Sequence, residues 1–545
     1  MLLLGVALAL SERSTGFSVD EGSYAIQADA LSHDSWAIDW PFRPYDPDGQ
    51  HFPYHAGVVD PGVSSAPTEY AYVSHPAWPS ALSVVRGIGG EELGLRLLPM
   101  LGVVIAALCG GGLAGRLAGP GAAPWGFWIV ATSPVLADGL MLWAHAPSTA
   151  AAGVVVLAAV TIAAGRARWW WWVALGVAAG GGVLLRSEGL LVAAAVAGGL
   201  GLVGIARHQA RLVVAGVATA AAGLGALALE WLWTTSVTST AANTVSTRAG
   251  DEDWIRSRLD GAWTVLLRGA EDPVAALVAV LAVVLVALAV LAARQERPPV
   301  RPAVLVGLAA VLVMIRLVVA SDDPVSGLLA AWPIAVLGGG AIAPTRERRT
   351  LVAVLVGSGA VVLAVVATQY DNGGGLQWGG RYLAPVIVPL GAVAAAGLIR
   401  VLPSVLDRRV AGALLIVTAV LGLVVTNEIR QINADALDRV GATGQPAVLV
   451  AGDQLARLDW HRWPERCWLS EGDDLEHAIE VLRTARVTRA AYVGFTPEQL
   501  EAAGAAGATP DRPGARLGTV EIGPGRITVV RVGEHAFVGC GGRVA

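Results

Sequence analysis

Long apolar runs separated by short polar breaks fill most of this chain, and the alternation predicts a bundle of membrane-crossing helices. Such runs recur at 93–115, 122–142, 148–165, 169–185, 189–206, 212–233, 273–293, 302–320, 325–343, 350–368, 382–402 and 409–426. Most reach the roughly 17 to 25 residues needed to cross a hydrocarbon core of about 30 Å. Two regions break the pattern. Residues 11–92 are rich in His, Pro, Trp and Tyr. There the spacing predicts an amphipathic helix over about 20–33, then an irregular aromatic stretch (WPFRPYDPDGQHFPY). SHPAWPSALSVVRGIG reads as a second short helix at the interface, where Trp36, Trp40 and Trp78 suit the headgroup level. Beyond about residue 430, QPAVLVAGD and RAAYVGF read as strands and DDLEHAIEVLRTAR and TPEQLEAAG as helices. ARLGTVEI with RITVVRV reads as a closing strand pair, completing a small α/β domain.

Composition agrees with the membrane reading. Of 545 residues, 54% are hydrophobic and 15% charged, against roughly 25% charged in a soluble protein, and mean hydropathy is +0.59. All 38 basic residues are Arg, a bias that fits a GC-rich genome, so Arg stands wherever another protein would use Lys. No nucleic-acid partner is expected.

The net charge of −5 says less than where the charges fall. Alternate connections carry Arg116, Arg166 with Arg168, Arg207 with Arg211, Arg294 with Arg297 and Arg301, Arg346 with Arg348 and Arg349, and Arg408 with Arg409. The intervening ones are acidic, mixed or neutral. The excess of Arg on cytoplasmic loops then puts residues 11–92, the loops near 186 and 371, residues 234–272 and the C-terminal tail outside. The apolar run MLLLGVALAL is ten residues, about 15 Å as a helix, too short to cross. It reads as the outer part of a first helix, making thirteen spans with an upstream start. The expected organisation is a partial first span (1–10), an outer loop (11–92), a helix bundle (93–429) and an outer α/β domain (430–545). Cys467 and Cys540 both fall in that domain while Cys109 lies in a span, so a disulfide outside the membrane is expected.

Four features share the outer face. Asp20-Glu21 opens the first predicted helix, where carboxylates also serve as ordinary capping and dipole groups. His75-Pro76 marks a turn. Arg186 and Glu188 in LLRSEGL lie between two spans, where a local ion pair or snorkelling side chains would equally account for them. In GGGLQWGGRYLAP, Gln377, Trp378, Arg381 and Tyr382 precede a span, and the glycines permit close backbone approach to a ligand or a plain flexible loop. Asp138 lies within an apolar run, where carboxylates are usually partnered and often functional, with His145 nearby. His51 and His55 are four apart in Pro-rich surroundings that do not favour a helical metal site.

The acidic pair in DEGSYAIQADAL, followed by HPAWP, SPVLADGLMLWAHAPS, LLRSEGL and QWGGRYLAP, resembles the GT-C superfamily of membrane glycosyltransferases. The chain is similar to its bacterial branch of protein O-mannosyltransferase-like and aminoarabinose transferase-like enzymes over most of residues 15–402. The resemblance implies a GT-C-like polytopic α-helical fold of about 12–13 transmembrane helices with an extracytoplasmic α/β C-terminal domain, in a bacterial plasma membrane. It implies transfer of a hexose or pentose from a polyprenyl-phosphate carrier to a hydroxyl of a glycan, protein or glycolipid, with inversion. Asp20 would be general base and Glu21 would orient it or a sugar hydroxyl. Arg381 and Arg186 would hold the lipid phosphate, and His75, Asp138, Glu188, Gln377, Trp378 and Tyr382 would line the substrate site. The resemblance fixes no cofactor; some members use a divalent metal, for which Asp20, Glu21 and nearby His residues such as His75 could supply ligands. A multi-span transporter or lipid flippase competes with this reading, as does a non-catalytic assembly or sensor protein. No internal repeat of the transporter kind is evident.

Overall fold

A computed structural model describes residues 15–33, 35–53, 56–58, 70–72, 75–89, 91–237, 254–269, 272–341, 348–368, 378–445, 447–451, 454–463, 466–472, 474–494, 509–510, 515–519 and 523–531. The predicted partial first span (1–10), Gln377, Cys540 and the helix expected at TPEQLEAAG lie outside these residues. The chain forms two units. One is built from residues within Arg96–Glu230 and Val245–Thr426, the other from residues within Leu10–Leu95, Trp231–Thr244 and Asn427–Ala545.

The N-terminal part of the second unit contains α1 (Val19–Ser32), the antiparallel pair β1 (Ala56–Val58) and β2 (Tyr70–Tyr72), and α2 (Ala77–Gly89). Both predicted helices are present. α1 differs from the expected amphipathic helix, because every residue from Glu21 to Ala28 is buried. Small residues at Gly22, Ser23, Ala25 and Ala28 let neighbours close in on all sides. Arg86 of α2 pairs with Asp29 of α1 at 2.5 Å.

The helices of the first unit follow in order: α3 (Glu91–Ala118), α4 (Ala123–Ala131), α5 (Val135–Asp138), α6 (His145–Ala163), α7 (Trp169–Leu185), α8 (Glu188–Ala206), α9 (Ala210–Val237) and α10 (Trp254–Leu266). They continue with α11 (Pro273–Ala292), α12 (Pro302–Val319), α13 (Leu328–Ala331), α14 (Arg348–Thr368), α15 (Ile387–Val401) and α16 (Val405–Ala442). Among the described residues eight helices are long and apolar enough to cross a membrane, and α7 and Val352–Thr368 are apolar but shorter. This is a polytopic α-helical membrane protein.

Two predicted spans are not single helices. The run 122–142 breaks into α4, α5 and an irregular stretch, and the run 325–343 into α13 and a 3-10 helix, Pro333–Ala341. Pro134 and Pro333 sit at the breaks, each lacking a donor and clashing with the preceding turn. Both runs are apolar because they are buried in protein, residues 129–146 completely so, and non-helical backbone at membrane depth is tolerated under that condition. Hydropathy alone does not separate such a segment from a lipid-facing helix. The stretch Arg381–Val401 is the most buried of the eight candidate spans, at 89%. It packs on both broken segments, and a side chain at Gly397 would overlap the Leu337 carbonyl.

The remainder of the second unit begins in α16, which continues as helix past residue 430. It then carries β3 (Ala447–Val450), α17 (Gln454–Leu458), β4 (Cys467–Ser470), α18 (Leu475–Thr484), β5 (Arg489–Gly494), β6 (Thr509–Pro510), β7 (Ala515–Thr519) and β8 (Gly523–Arg531). The sheet order is β4-β3-β5-β8-β6, with β7 also on β8. β3 runs parallel to β4 and β5, and β8 is antiparallel to β5 and β7. The expected strands, the helix α18 and the closing pair are present; β4 and α17 were not foreseen. β4 ends the sheet, and the segment around Trp40 and His51 covers its open side. Trp40 Nε1 donates to the Trp468 carbonyl at 2.9 Å, Ser470 N donates to the His51 carbonyl at 2.9 Å, and His51 Nδ1 lies 3.0 Å from the Ser470 carbonyl. An exposed edge is a pairing hazard, here blunted by an aromatic and an imidazole. Cys467 is disulfide-bonded, and Cys109 is a buried free thiol.

Candidate functional site

In the first unit, residues from three separate stretches converge at the ends of apolar helices. Arg186 follows α7 with extended backbone (φ −159°, ψ 138°) and Glu188 opens α8. A side chain at Gly189 would overlap the Gly182 carbonyl, so glycine allows the tight turn. The Glu188 carboxylate takes both Nε (3.2 Å) and Nη2 (3.0 Å) of Arg186. This is the local pair that neighbouring charges predict, but Arg186 also lies 5.6 Å from the centre of the Tyr382 ring. Arg381 lies 5.1 Å from that same ring and 5.4 Å from the Trp143 ring, and its Nη2 donates to Tyr382 Oη at 3.2 Å. Trp143 in turn meets His145 edge to face at 5.0 Å. The structure therefore brings Arg186, Glu188, Arg381 and Tyr382 together. Two guanidiniums meet on one aromatic ring here, and guanidinium matches phosphate oxygens two at a time.

The glycines before Arg381 place it. Gly379 and Gly380 both adopt positive φ (68° and 66°), a region that favours glycine. Gly379 N donates to the Val325 carbonyl at 2.7 Å, and a side chain there would overlap Pro134. Trp378 is buried with its ring against Gly422. Thr149 Oγ1 donates to the Ala384 carbonyl at 3.1 Å, fixing the 3-10 turn Arg381–Val386 to α6. Asp138 is buried at the end of α5. Arg96, also buried, donates through Nη1 to the Leu140 carbonyl, between Asp138 and Trp143. Sequence reasoning passed over Arg96 and Trp143. A charge inside the apolar run LGLRLLPM was the available signal for Arg96.

An apolar cleft of about 1020 Å³, its open side included, lies among α6, α8, α14 and the start of α15. Its walls include Val160, Val192, Leu200, Val361, Pro385 and Pro389, and Arg207 lies at its lining. Pro385 and Pro389 follow Arg381 and Tyr382 on the same short stretch, and α8 leads from Glu188 to Arg207 along about 28 Å of helix.

The acidic pair lies in the second unit. Ser18 is the N-cap of α1 in extended geometry (φ −135°, ψ 164°). Glu21 Oε1 accepts from Phe17 N at 2.6 Å and Ser18 N at 3.3 Å, while Oε2 takes Arg430 Nη2 at 3.2 Å. Both partners of that ion pair are fully buried, at 1% and 0% side-chain exposure. Glu21 is thus engaged as a cap and a tertiary tether, while Asp20, one residue earlier, is half-buried. His75 adopts positive φ (51°), and its carbonyl accepts from Trp78 N at the start of α2. Among the described residues no group of three or more His, Cys, Asp or Glu side chains is placed to hold a metal ion.

No family model matches the chain and no curated protein matches it significantly. Among solved structures it is similar to ArnT from Cupriavidus metallidurans bound to undecaprenyl phosphate (13% identity, TM-score 0.48, covering 97% of this chain and 96% of that one). It is similar to the same enzyme in the apo state (16% identity, TM-score 0.44, 97% and 95%). The oligosaccharyltransferase of Archaeoglobus fulgidus with zinc and sulfate is a more distant likeness (14% identity, TM-score 0.41, 87% and 67%).

Proposed function

We propose that this protein is a glycosyltransferase of the GT-C kind, moving a sugar from a polyprenyl-phosphate donor to an acceptor hydroxyl at the outer face of a bacterial plasma membrane. The observation that carries the reading is the convergence of Arg186 and Arg381 on the Tyr382 ring, on a stretch that continues into an apolar cleft. Paired guanidiniums beside an open apolar channel suit a phosphate joined to a long hydrocarbon chain. Asp20 takes the proton from the acceptor hydroxyl. The oxygen then forms a bond to the anomeric carbon on the side opposite the phosphate, the carbon–oxygen bond to phosphate breaks, and polyprenyl phosphate leaves with the electron pair. Arg186 and Arg381 meet the charge that develops on the leaving phosphate, an electrostatic contribution that often exceeds that of the base. Glu188 holds Arg186 in orientation, and Trp378, Asp138, Gln377 and His75 are assigned to the sugar and acceptor.

The test is transfer of labelled sugar from polyprenyl phosphate in membranes carrying the wild type or Asp20→Asn. Loss of a positioned base predicts a fall of about 10²–10⁴-fold, and equal turnover would remove Asp20 from that role. The broken segments 122–142 and 325–343 favour a transporter or flippase as second reading, since such proteins bind substrate at discontinuous helices. Substrate movement in reconstituted vesicles without glycosyl transfer would select it.

A further inference from the structure

The C-terminal part of the chain has no chemical role in this reading, yet it holds the helix that carries the proposed base. Four contacts within the second unit surround Asp20. Before it, Thr15 Oγ1 donates to the Arg430 carbonyl at 2.9 Å, and Asn433 Nδ2 donates to the Gly16 carbonyl at 3.1 Å. After it, Arg430 Nη2 donates to Glu21 Oε2 at 3.2 Å, and a side chain at Gly22 would overlap the Arg457 carbonyl of α17. Arg430 and Asn433 are three apart on α16 and so share one face of that helix. Thr15, Arg430, Asn433 and Glu21 are all buried.

We infer that the end of α16 and the α/β domain form a positioning device for Asp20, with Arg430 as its principal positioning residue. The inference rests on Asp20 being the base. The chain is pinned on both sides of Asp20, within one residue after it and four before it, to elements more than 400 residues away (415 for Thr15, 409 for Glu21). Glu21 is withdrawn from chemistry by two backbone donors and a guanidinium, and its neighbour takes its register from that anchorage. A displacement of about 1 Å at a reacting group costs on the order of 10²-fold in rate, so the tether sets kcat without touching substrate.

The experiment uses the full chain in membranes and measures kcat and donor KM for Glu21→Gln/Arg430→Met, Gly22→Val and Arg430→Lys, each with and without Asp20→Asn. The double variant removes both buried charges together and leaves no stranded carboxylate, while Arg430→Lys keeps a cation in place. The expected result is a fall in kcat of roughly 10- to 100-fold for the double variant and Gly22→Val, with donor KM changed by less than about twofold. Arg430→Lys recovers part of kcat. Adding Asp20→Asn to either severe variant costs far less than it does in the wild type, because the tether acts through that carboxylate. Unchanged kcat in the folded variants would overturn the inference, as would losses that simply multiply with that of Asp20→Asn. Full turnover by Asp20→Asn alone is a different outcome: it removes the base and the positioning role with it.

Discussion

Each unit of this protein contains a buried Arg–Glu pair, and the two are built differently. In the first unit Arg186 and Glu188 are two residues apart and bonded at 3.2 and 3.0 Å, and the guanidinium also stacks on Tyr382. In the second unit Arg430 and Glu21 are 409 residues apart and joined at 3.2 Å, with Glu21 further held by backbone donors at Phe17 and Ser18. The local pair forms with almost no chain closure, so it adds little to the choice of fold and serves to aim a cation. The distant pair can form only when the tertiary structure is in place, and it specifies that structure. Sequence spacing thus separates a pair suited to ligand recognition from one suited to architecture, although both look the same as a buried salt bridge.

Arg430→Met gives the largest expected effect. It leaves the Glu21 carboxylate buried without its cation, a change that costs about 3–5 kcal/mol, read as a fall in the thermal unfolding of the second unit or faster proteolysis there. Arg186→Met should lower stability by less, since the Arg186 side chain is 11% exposed where that of Arg430 is 0%; equal losses would erase the distinction between the pairs. Next is Arg381→Ala, which removes a charged donor worth about 1.5–3 kcal/mol and should raise donor KM by the corresponding factor while leaving acceptor KM unchanged. Unaltered donor affinity would take Arg381 away from the phosphate.

The smallest effect concerns His51, whose Nε2 lies 2.8 Å from His477 Nδ1 and whose Nδ1 faces the Ser470 carbonyl. Burial holds its pKa below the ordinary value against the opposing pull of Asp46 and Asp474, and His477 lowers it further. The unfolded chain therefore takes up the proton first. The stability contributed is complete above about pH 6.5 and is lost as pH falls through the lowered value. Unfolding temperatures of wild type and His51→Gln compared from neutral pH downward should show this decline in the wild type only.

Much of the molecule was legible in the chain. The length of the apolar runs marked the membrane helices, while the Gly-Gly before Arg381, expected to admit a ligand or form a flexible loop, packs against Pro134 and Val265 of the protein itself. The expected grouping also took in Asp20, Glu21 and His75; the contacts within the first unit join Arg186, Glu188, Arg381 and Tyr382. Three things were hidden. The runs 122–142 and 325–343 have the hydropathy of spans because protein, rather than lipid, surrounds them. Arg96 was lost within an apolar run. The partner of Glu21 was invisible because nothing in the local sequence of α16 distinguishes Arg430 from the other arginines of a polar helix end. Of the acidic pair, Glu21 fills the capping role.

The covering of β4 by Trp40 and His51 has a consequence for how the protein is made. Trp40 waits for a partner 428 residues further along the chain, and His51 for one 419 residues away. During synthesis the early loop must remain incomplete while the intervening helices are inserted one after another. The second unit closes only when the last strands arrive, so a truncated or stalled chain presents an unfinished sheet edge and a loose aromatic loop. Proteases would meet that exposed edge first, which ties the supply of finished protein to complete translation.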